Sequence, residues 1–561
     1  MFSKNLALVV LAVIPEIVVA QNASGPPARQ PPKEETCVVS GMVVRRTDTA
    51  PLKGALVQLF NPDDGEHNSA TRTGADGRFE LKNVVAGKYR LMVSRNGYFQ
   101  MEYGQKKPSD PGATFSLRPG QHMSDLLFKL GLAGVITGKI LDEDGEPMAN
   151  AAVTALRTAY QGGRRQLITV DERHSNDLGE FRLFGLTPGK YFVSAEPSRW
   201  EQAFGDRQHS GEEKGSGEKG YTKMFFPSAT DPAKASAIIV KEGEEIPSID
   251  FLMKEIMVHR IRGKVAGPIS KQGPRQIHVD VFRRSRRTDW HSFLGPPDIV
   301  RSDGSFELSQ IPPGEYTVRA MSFEDGQRYS VEQDVDIVAA DVEGLNLVLA
   351  PGVTIPGRIL WDGQPSLGRE ELSVSLESDE ARYGSVVRVD KSNQFTLEAV
   401  PEGSFKVDLF GLGKDGYIKE VKFGEAVLAD TELRVVRGGG GILEITASSR
   451  GARMEGTVLD EEALPVAGVW VVAVPEESKR KYLRLYKSAL TDQYGHFEMR
   501  AVTPGTYKIF SWEGIESEAW EDEDFLKEFE DKGTLTEVHE QEAKVVELKV
   551  IPVKEGTGKP D

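Results

Sequence analysis

The sequence predicts an all-β chain, a tandem array of five antiparallel β-sandwich domains with one short helix in the last of them. Three observations carry this expectation. A motif recurs five times at domain-sized intervals, the segments between its marks alternate apolar and polar residues with a period of two, and Gly and Pro punctuate them at short range. The 561 residues include 57 Gly and 31 Pro, a pair that ordinarily makes up roughly 12% of a chain. Turns are therefore abundant, and at about 150 residues per domain a single small enzyme fold does not fill the length.

The motif is an Asp-Gly-type turn, a Phe, and an aromatic ten residues later. It reads Asp76-Gly77-Arg78-Phe79 with Gly87-Lys88-Tyr89, and Asp177-Leu178-Gly179-Glu180-Phe181 with Pro188-Gly189-Lys190-Tyr191. It returns as Asp303-Gly304-Ser305-Phe306 with Pro313-Gly314-Glu315-Tyr316, then in degenerate form as Asn393-Gln394-Phe395 with Pro401-Glu402-Gly403-Ser404-Phe405. The fifth copy is Asp492-Gln493-Tyr494-Gly495-His496-Phe497 with Pro504-Gly505-Thr506-Tyr507. Each copy follows a strand expected to open at a Gly, namely Gly41, Gly138, Gly263, Gly357 or Gly456. Between these marks lies an alternating strand, such as Ala55, Val57, Leu59 in the first copy and Val469, Val471, Ala473 in the fifth. Alternation of that kind buries one sheet face, and the Asp-Gly and Pro-Gly pairs supply the turns. The five Phe positions lie 102, 125, 89 and 102 residues apart, long enough for each unit to bury a core of its own.

Taken in order, residues 1–20 have the parts of a secretory signal peptide: Lys4, an apolar stretch from Leu6 to Val19, and small residues up to Ala20. An exported protein of the periplasm, outer surface or extracellular space is expected. Residues 21–36 form a Pro-rich linker, and the sandwiches are expected at 37–131, 132–256, 257–352, 353–450 and 451–555, with a disordered tail at 556–561. The second carries a hydrophilic, Gly-rich mobile insertion at 199–220. The last carries an acidic helix within 516–531, with Phe525, Leu526 and Phe529 on one face. After signal cleavage no segment is long and apolar enough to be an integral membrane span. Cys37 is the one cysteine, so each sandwich relies on its apolar core and not on disulfides.

The run Pro51-Leu52-Lys53-Gly54-Ala55, with Asp76-Gly77-Arg78-Phe79 and Gly87-Lys88-Tyr89-Arg90-Leu91, resembles the carboxypeptidase regulatory-like family. It is also similar to the B-type repeats of bacterial surface adhesins. The resemblance implies transthyretin-like or immunoglobulin-like sandwiches and a bacterial exported protein. It implies no activity, because the module serves many functions.

Chemistry finds little to stand on. A metallocarboxypeptidase holds zinc with two imidazoles and a carboxylate; His209-Ser210-Gly211-Glu212 has part of that spacing but sits in the Gly-rich insertion. Asp142-Glu143-Asp144-Gly145-Glu146 lacks a full set of calcium ligands and reads as a turn. Gly438 to Gly441 precedes no helix and reads as a hinge. No catalytic residues, cofactor or metal are expected. A surplus of 85 acidic over 69 basic residues, net −16, argues against nucleic acid as a partner. The contact residues that stand out are Arg283, Arg284, Arg286 and Arg287 running into Trp290 and His291, which suit an anionic glycan or an acidic protein surface, including the chain's own acidic helix. Trp470 takes the outward position of its strand, facing either a sugar ring or, preferably, a neighbouring domain. Trp361 is expected to plug the end of its sandwich. The expected role is a non-catalytic binding or spacer protein engaging polysaccharide or an envelope protein. The other reading is an accessory subunit of a peptidase on another chain. The oligomeric state is left open.

Overall fold

The computed structural model describes residues 36–62, 68–105, 107–108, 111–197, 219–267, 277–284, 298–324, 327–367, 371–378, 383–436 and 438–552. The expected signal peptide, nearly all of the expected Pro-rich linker, the expected C-terminal tail and most of the expected 199–220 insertion lie outside them. The two insertion residues that are described do not form part of a loop: Lys219–Gly220 is a short strand paired with Ile256–Met257.

The chain is all-β, built from sandwiches in tandem. In the first, one sheet has the strand order Arg78–Val84, Cys37–Arg45, His122–Leu130. The facing sheet runs Ser69–Arg72, Leu56–Phe60, Gly87–Ser94, edged by Met101–Glu102 and Phe115–Leu117. Cys37, Val39, Leu59, Tyr89 and Phe115 are fully buried between them. Separate buried clusters centre on Ile136, Tyr191 and Phe251; on Ile261, Tyr316 and Leu347; on Val374, Leu397 and Leu443; and on Met454, Val471 and Phe497. Trp361 packs half-buried against the cluster around Val374.

Two expectations need correction. The sheets are not wholly antiparallel: the closing strand runs parallel to the opening one, as in His122–Leu130 against Cys37–Arg45 and Ala543–Lys549 against Ala452–Leu459. The chain crosses to the facing sheet in between, so it returns in the same direction. The glycines also do not open their strands. Gly41, Gly138, Gly263, Gly357 and Gly456 sit inside them, each directly opposite its motif Phe. Four of them meet the closing strand, or in the second sandwich Ile249 between its two closing strands, so closely that a Cβ would lie 1.8 to 2.2 Å from a backbone carbonyl oxygen. At Gly357 a Cβ would strike the Phe395 ring.

The motif's polar residues are used locally. Asp492 Oδ1 accepts from the Tyr494 and His496 amides at 2.9 and 3.0 Å, and Asp390 serves Ser392 and Gln394 in the same way. In the second sandwich Asn176, not Asp177, takes this place. The left-handed residue of each turn is Gly77, Gly179, Gly304, Asn393 or Gly495, types that accept positive φ readily. The later Tyr closes the next turn with its hydroxyl: Tyr89, Tyr191, Tyr316 and Tyr507 donate to the carbonyl four residues upstream at 2.7 to 2.8 Å. This is the logic of a tyrosine corner, and Phe405 lacks the hydroxyl to make it. Removing it by Tyr316→Phe strands the buried Pro312 carbonyl, so the third sandwich should lose about 1–2 kcal/mol. Faster amide exchange across Ser305–Ile311 and Gly314–Glu324 would register that loss.

Candidate interaction surface

Because the shared residues build turns and cores, function has to reside where the copies differ. Arg283 ends the strand His278–Arg283 and is exposed. Arg284 is engaged by its own sheet: its Nη1 donates to Asp334 at 2.8 Å, its Nη2 to Asp336 at 2.5 Å, and its amide to the Glu315 carbonyl. Its charge is thereby compensated at home. On the same sheet the buried Arg319 lies over Phe282 at 4.5 Å and pairs with Asp280 at 3.4 Å. Arg286, Arg287, Trp290 and His291 lie outside the described residues, as do His209 and Glu212. Asp142 spends its carboxylate on the Asp144 and Glu146 amides. Glu143 accepts from the Tyr221 hydroxyl at 2.6 Å, which holds its carboxyl below the usual range. Among the described residues no three His, Cys, Asp or Glu side chains are grouped to hold a metal, and no helix is long and apolar enough to cross a membrane.

The last sandwich differs most. In the strand Trp470–Pro475, Val471 and Ala473 join the inner core. Trp470, Val472 and Val474 face the other way, together with Phe510 and Trp512 of the strand Gly505–Glu513. Such a face would ordinarily meet water. Here the segment after Glu513 folds back over it. The Asp522 carboxylate accepts from the Asp524 and Phe525 amides at 2.8 and 3.0 Å and caps the helix Glu523–Lys527, as a side-chain oxygen does at an N-cap. Phe525, Leu526 and Phe529 are buried against the sheet. Phe510 and Trp512 stack at 4.8 Å, Phe529 meets Trp512 edge-on, and Trp520 covers Trp470 at 5.0 Å. Trp470 is therefore not an open platform for a sugar. Its strand exposes too much aromatic surface to be left wet, and its own chain covers it.

A second element reaches this cover. The strands Ala152–Gln161 and Arg164–His174 form a long hairpin whose turn, Gly162-Gly163, has both φ angles positive, as a two-residue hairpin turn requires. At its tip the Gly162 amide donates to Glu518 Oε2 at 3.0 Å, and Arg165 comes within 3.9 Å of Glu516. Tyr160 packs beside Phe525, with Arg165 over its ring at 5.2 Å. Burial, followed by the charge of Glu518, pushes the Glu521 carboxyl up to about 7, while Lys406 and the Gly163 amide pull the other way. The last sandwich also meets the first, where Gln493 and the Ser116 backbone exchange hydrogen bonds at 3.2 and 3.1 Å. Towards the fourth, Lys419 and Arg450 both pair with Asp362 and Glu540. Arg165 is thus the hairpin's basic residue at the acidic region, where Arg480 and Lys508 of the last sandwich also pair with Glu530. Nothing in the run Tyr160-Gln161-Gly162-Gly163-Arg164-Arg165 beyond its turn signal marks it as a contact.

Comparison with known proteins can now be placed on this geometry. Residues 38–126 and 135–204 match the carboxypeptidase regulatory-like domain. The regulatory-like domain thus covers the first sandwich and much of the second, where the motif carries Tyr89 and Tyr191. No curated protein matches the sequence significantly. Among solved structures, the minor pilin GBS52 of Streptococcus agalactiae is 12% identical, covering 39% of this chain and 97% of that one, with a TM-score of 0.21. BcpA, the major pilin subunit of Bacillus cereus, is 14% identical over 56% of this chain and 98% of its own, with a TM-score of 0.14. The Bacillus anthracis TIE protein is 14% identical over 56% of this chain, with a TM-score of 0.16, and the chain spans about half of it, 51%. Beside these remote similarities, the sandwich architecture rests on the chain's own sheets.

Proposed function

We propose that this is a non-catalytic, exported binding scaffold of five sandwiches, spanning 37–131, 132–256, 257–352, 353–450 and 451–555, that engages polysaccharide or a cell-envelope protein. The observation that carries the reading is where the polar groups go. Motif carboxylates cap their own turns and motif tyrosines close their own corners, so the repeat supplies a frame and the differing loops supply contacts. The regulatory-like match is compatible with this, since a module that serves many functions implies no activity by itself.

Binding to a panel of acidic and neutral polysaccharides tests this reading. Retention should fall at least about tenfold in Arg286→Ala and Trp290→Ala if the basic run that begins at Arg283 is the contact, which corresponds to losing one good charged or aromatic anchor. The family description favours one other reading, an accessory subunit of a peptidase on another chain. Specific retention of a peptidase by the immobilised protein, with no polysaccharide bound, would select it. Chelator-sensitive release of C-terminal residues by the purified chain would overturn both.

A further inference from the structure

We propose that the hairpin Ala152–His174 is a latch that closes the chain on itself, docking on the covered aromatic face of the last sandwich so that the array is a closed body and not an extended stalk. This goes beyond the binding role above and does not depend on which ligand is bound.

The occupant and its seat are both on the chain. The hairpin extends well past its pairing with the neighbouring strand: Ala152 to Leu156 pair with Phe192 to Glu196, whereas Arg157 to Gln161 pair only with the returning strand Arg164 to Ile168. A two-stranded projection is marginal in water unless something receives it. What receives it is a seat of matching chemistry, with the Tyr160 ring beside Phe525, the Gly162 amide on Glu518, and Arg165 facing Glu516. The glycine tip fits its place closely, since a Cβ at Gly163 would lie 2.7 Å from the Glu521 carbonyl oxygen. A second, independent contact brings the first sandwich to the last, between Gln493 and the Ser116 backbone. First, second and last sandwiches thus meet although hundreds of residues separate them.

Glu521 gives the latch a dependence on pH. Around it stand Glu518 from its own segment, Lys406 from the fourth sandwich and the Gly163 amide from the hairpin, while Tyr486 feels its charge together with that of Glu523. In the closed form its carboxyl holds a proton up to about 7, whereas an exposed Glu ionises near 4.3. Closure that buries Glu521 is therefore fully supported below that ordinary value, against the smaller opposite pull of the Gly163 amide, and loses support progressively from there up to about 7. The open population should grow by up to about tenfold per pH unit within this window.

Small-angle X-ray scattering of the full chain tests the proposal. At pH 5.5 the wild type should give the compact curve calculated from the closed arrangement, shifting towards a larger maximum dimension at pH 8. Gly163→Val should give the larger dimension at both values, and Glu521→Gln the compact curve at both. Glu518→Lys, which leaves the hairpin sequence intact, should open the chain in the same way as Gly163→Val, while circular dichroism shows the sandwiches still folded. An extended curve for the wild type at pH 5.5, or a compact curve unchanged in both Gly163→Val and Glu518→Lys, would overturn the latch.

Discussion

Gly456→Val is expected to destabilise the last sandwich by about 3 kcal/mol or more, beyond the usual cost of overpacking. At this position a Cβ would stand 1.8 Å from the Val546 carbonyl oxygen and 3.1 Å from the Phe497 ring. The nearer obstacle is backbone in the closing strand, held in parallel register from Arg453↔Ala543 to Leu459↔Lys549, and it has no flexible end to swing aside. Relief requires that strand to separate or the Phe to leave the core, where it is 1% exposed. Differential scanning calorimetry should show a separate transition at lower temperature. Amide exchange should locate it in Ala452–Leu459 and Ala543–Lys549. Gly440→Ala, where a Cβ meets nothing within 4 Å, is the control and should stay within about 0.5 kcal/mol of wild type. An unshifted profile for Gly456→Val would mean that the close approach of glycine, ring and carbonyl does not exist in solution.

That close approach explains why so much of the fold was legible. The Gly and Phe face one another across a strand pair, so their separation in sequence is set by the length of the excursion to the facing sheet. The Tyr follows the Phe by ten residues because its hydroxyl must reach back over one turn. Spacings fixed by such geometry survive as motifs. The parallel closing strand left no such trace, because apolar alternation reads the same in either direction. A further regularity also escaped: the residue four after each motif Phe has positive φ, at Asn83, Gly185, Gln310, Ala399 and Ala501. It lies at a register shift between opening strand and Phe strand in all five copies of the motif. Bulges of this kind re-aim a strand through the backbone, and the tertiary fit holds even Ala in a left-handed conformation, so no residue type announces the site.

The interaction surface was legible only in parts. Phe525, Leu526 and Phe529 on one face announced a packed helix, and Trp470 announced an apolar patch turned away from its core. That one covers the other follows only from the chain doubling back after Glu513, which periodicity does not encode. The hairpin contact is less visible still. Its residues are ordinary for a turn, and their role arises from sandwiches distant in sequence being brought together. Arg284 shows the converse, a conspicuous charge whose partners, Asp334 and Asp336, come from a strand some fifty residues later.

Trp512→Ala should have the second large effect and should separate cause from consequence at this surface. Trp512 is fully buried, stacked on Phe510 and touched by both Phe525 and Phe529. Replacing it with Ala leaves a cavity that the rigid sheet cannot close, at a cost of about 3–5 kcal/mol. The loss should not spread evenly. The inner core of Val471, Ala473 and Ile509 lies on the opposite side of the same strands and is untouched, so their amides should remain protected. Those of the helix Glu523–Lys527 should exchange freely. With the helix loosened, Phe525 no longer offers a seat to Tyr160, and Glu516 and Glu518 no longer stand where Arg165 and the Gly162 amide meet them. The hairpin should therefore be released as well. Gly163→Val should release the hairpin while leaving the helix protected, because the aromatic stack is complete without it. If the dependence runs in that one direction, the covered face is the support and the latch its client. Equal loss of helix protection in Gly163→Val would show that the hairpin holds the cover in place.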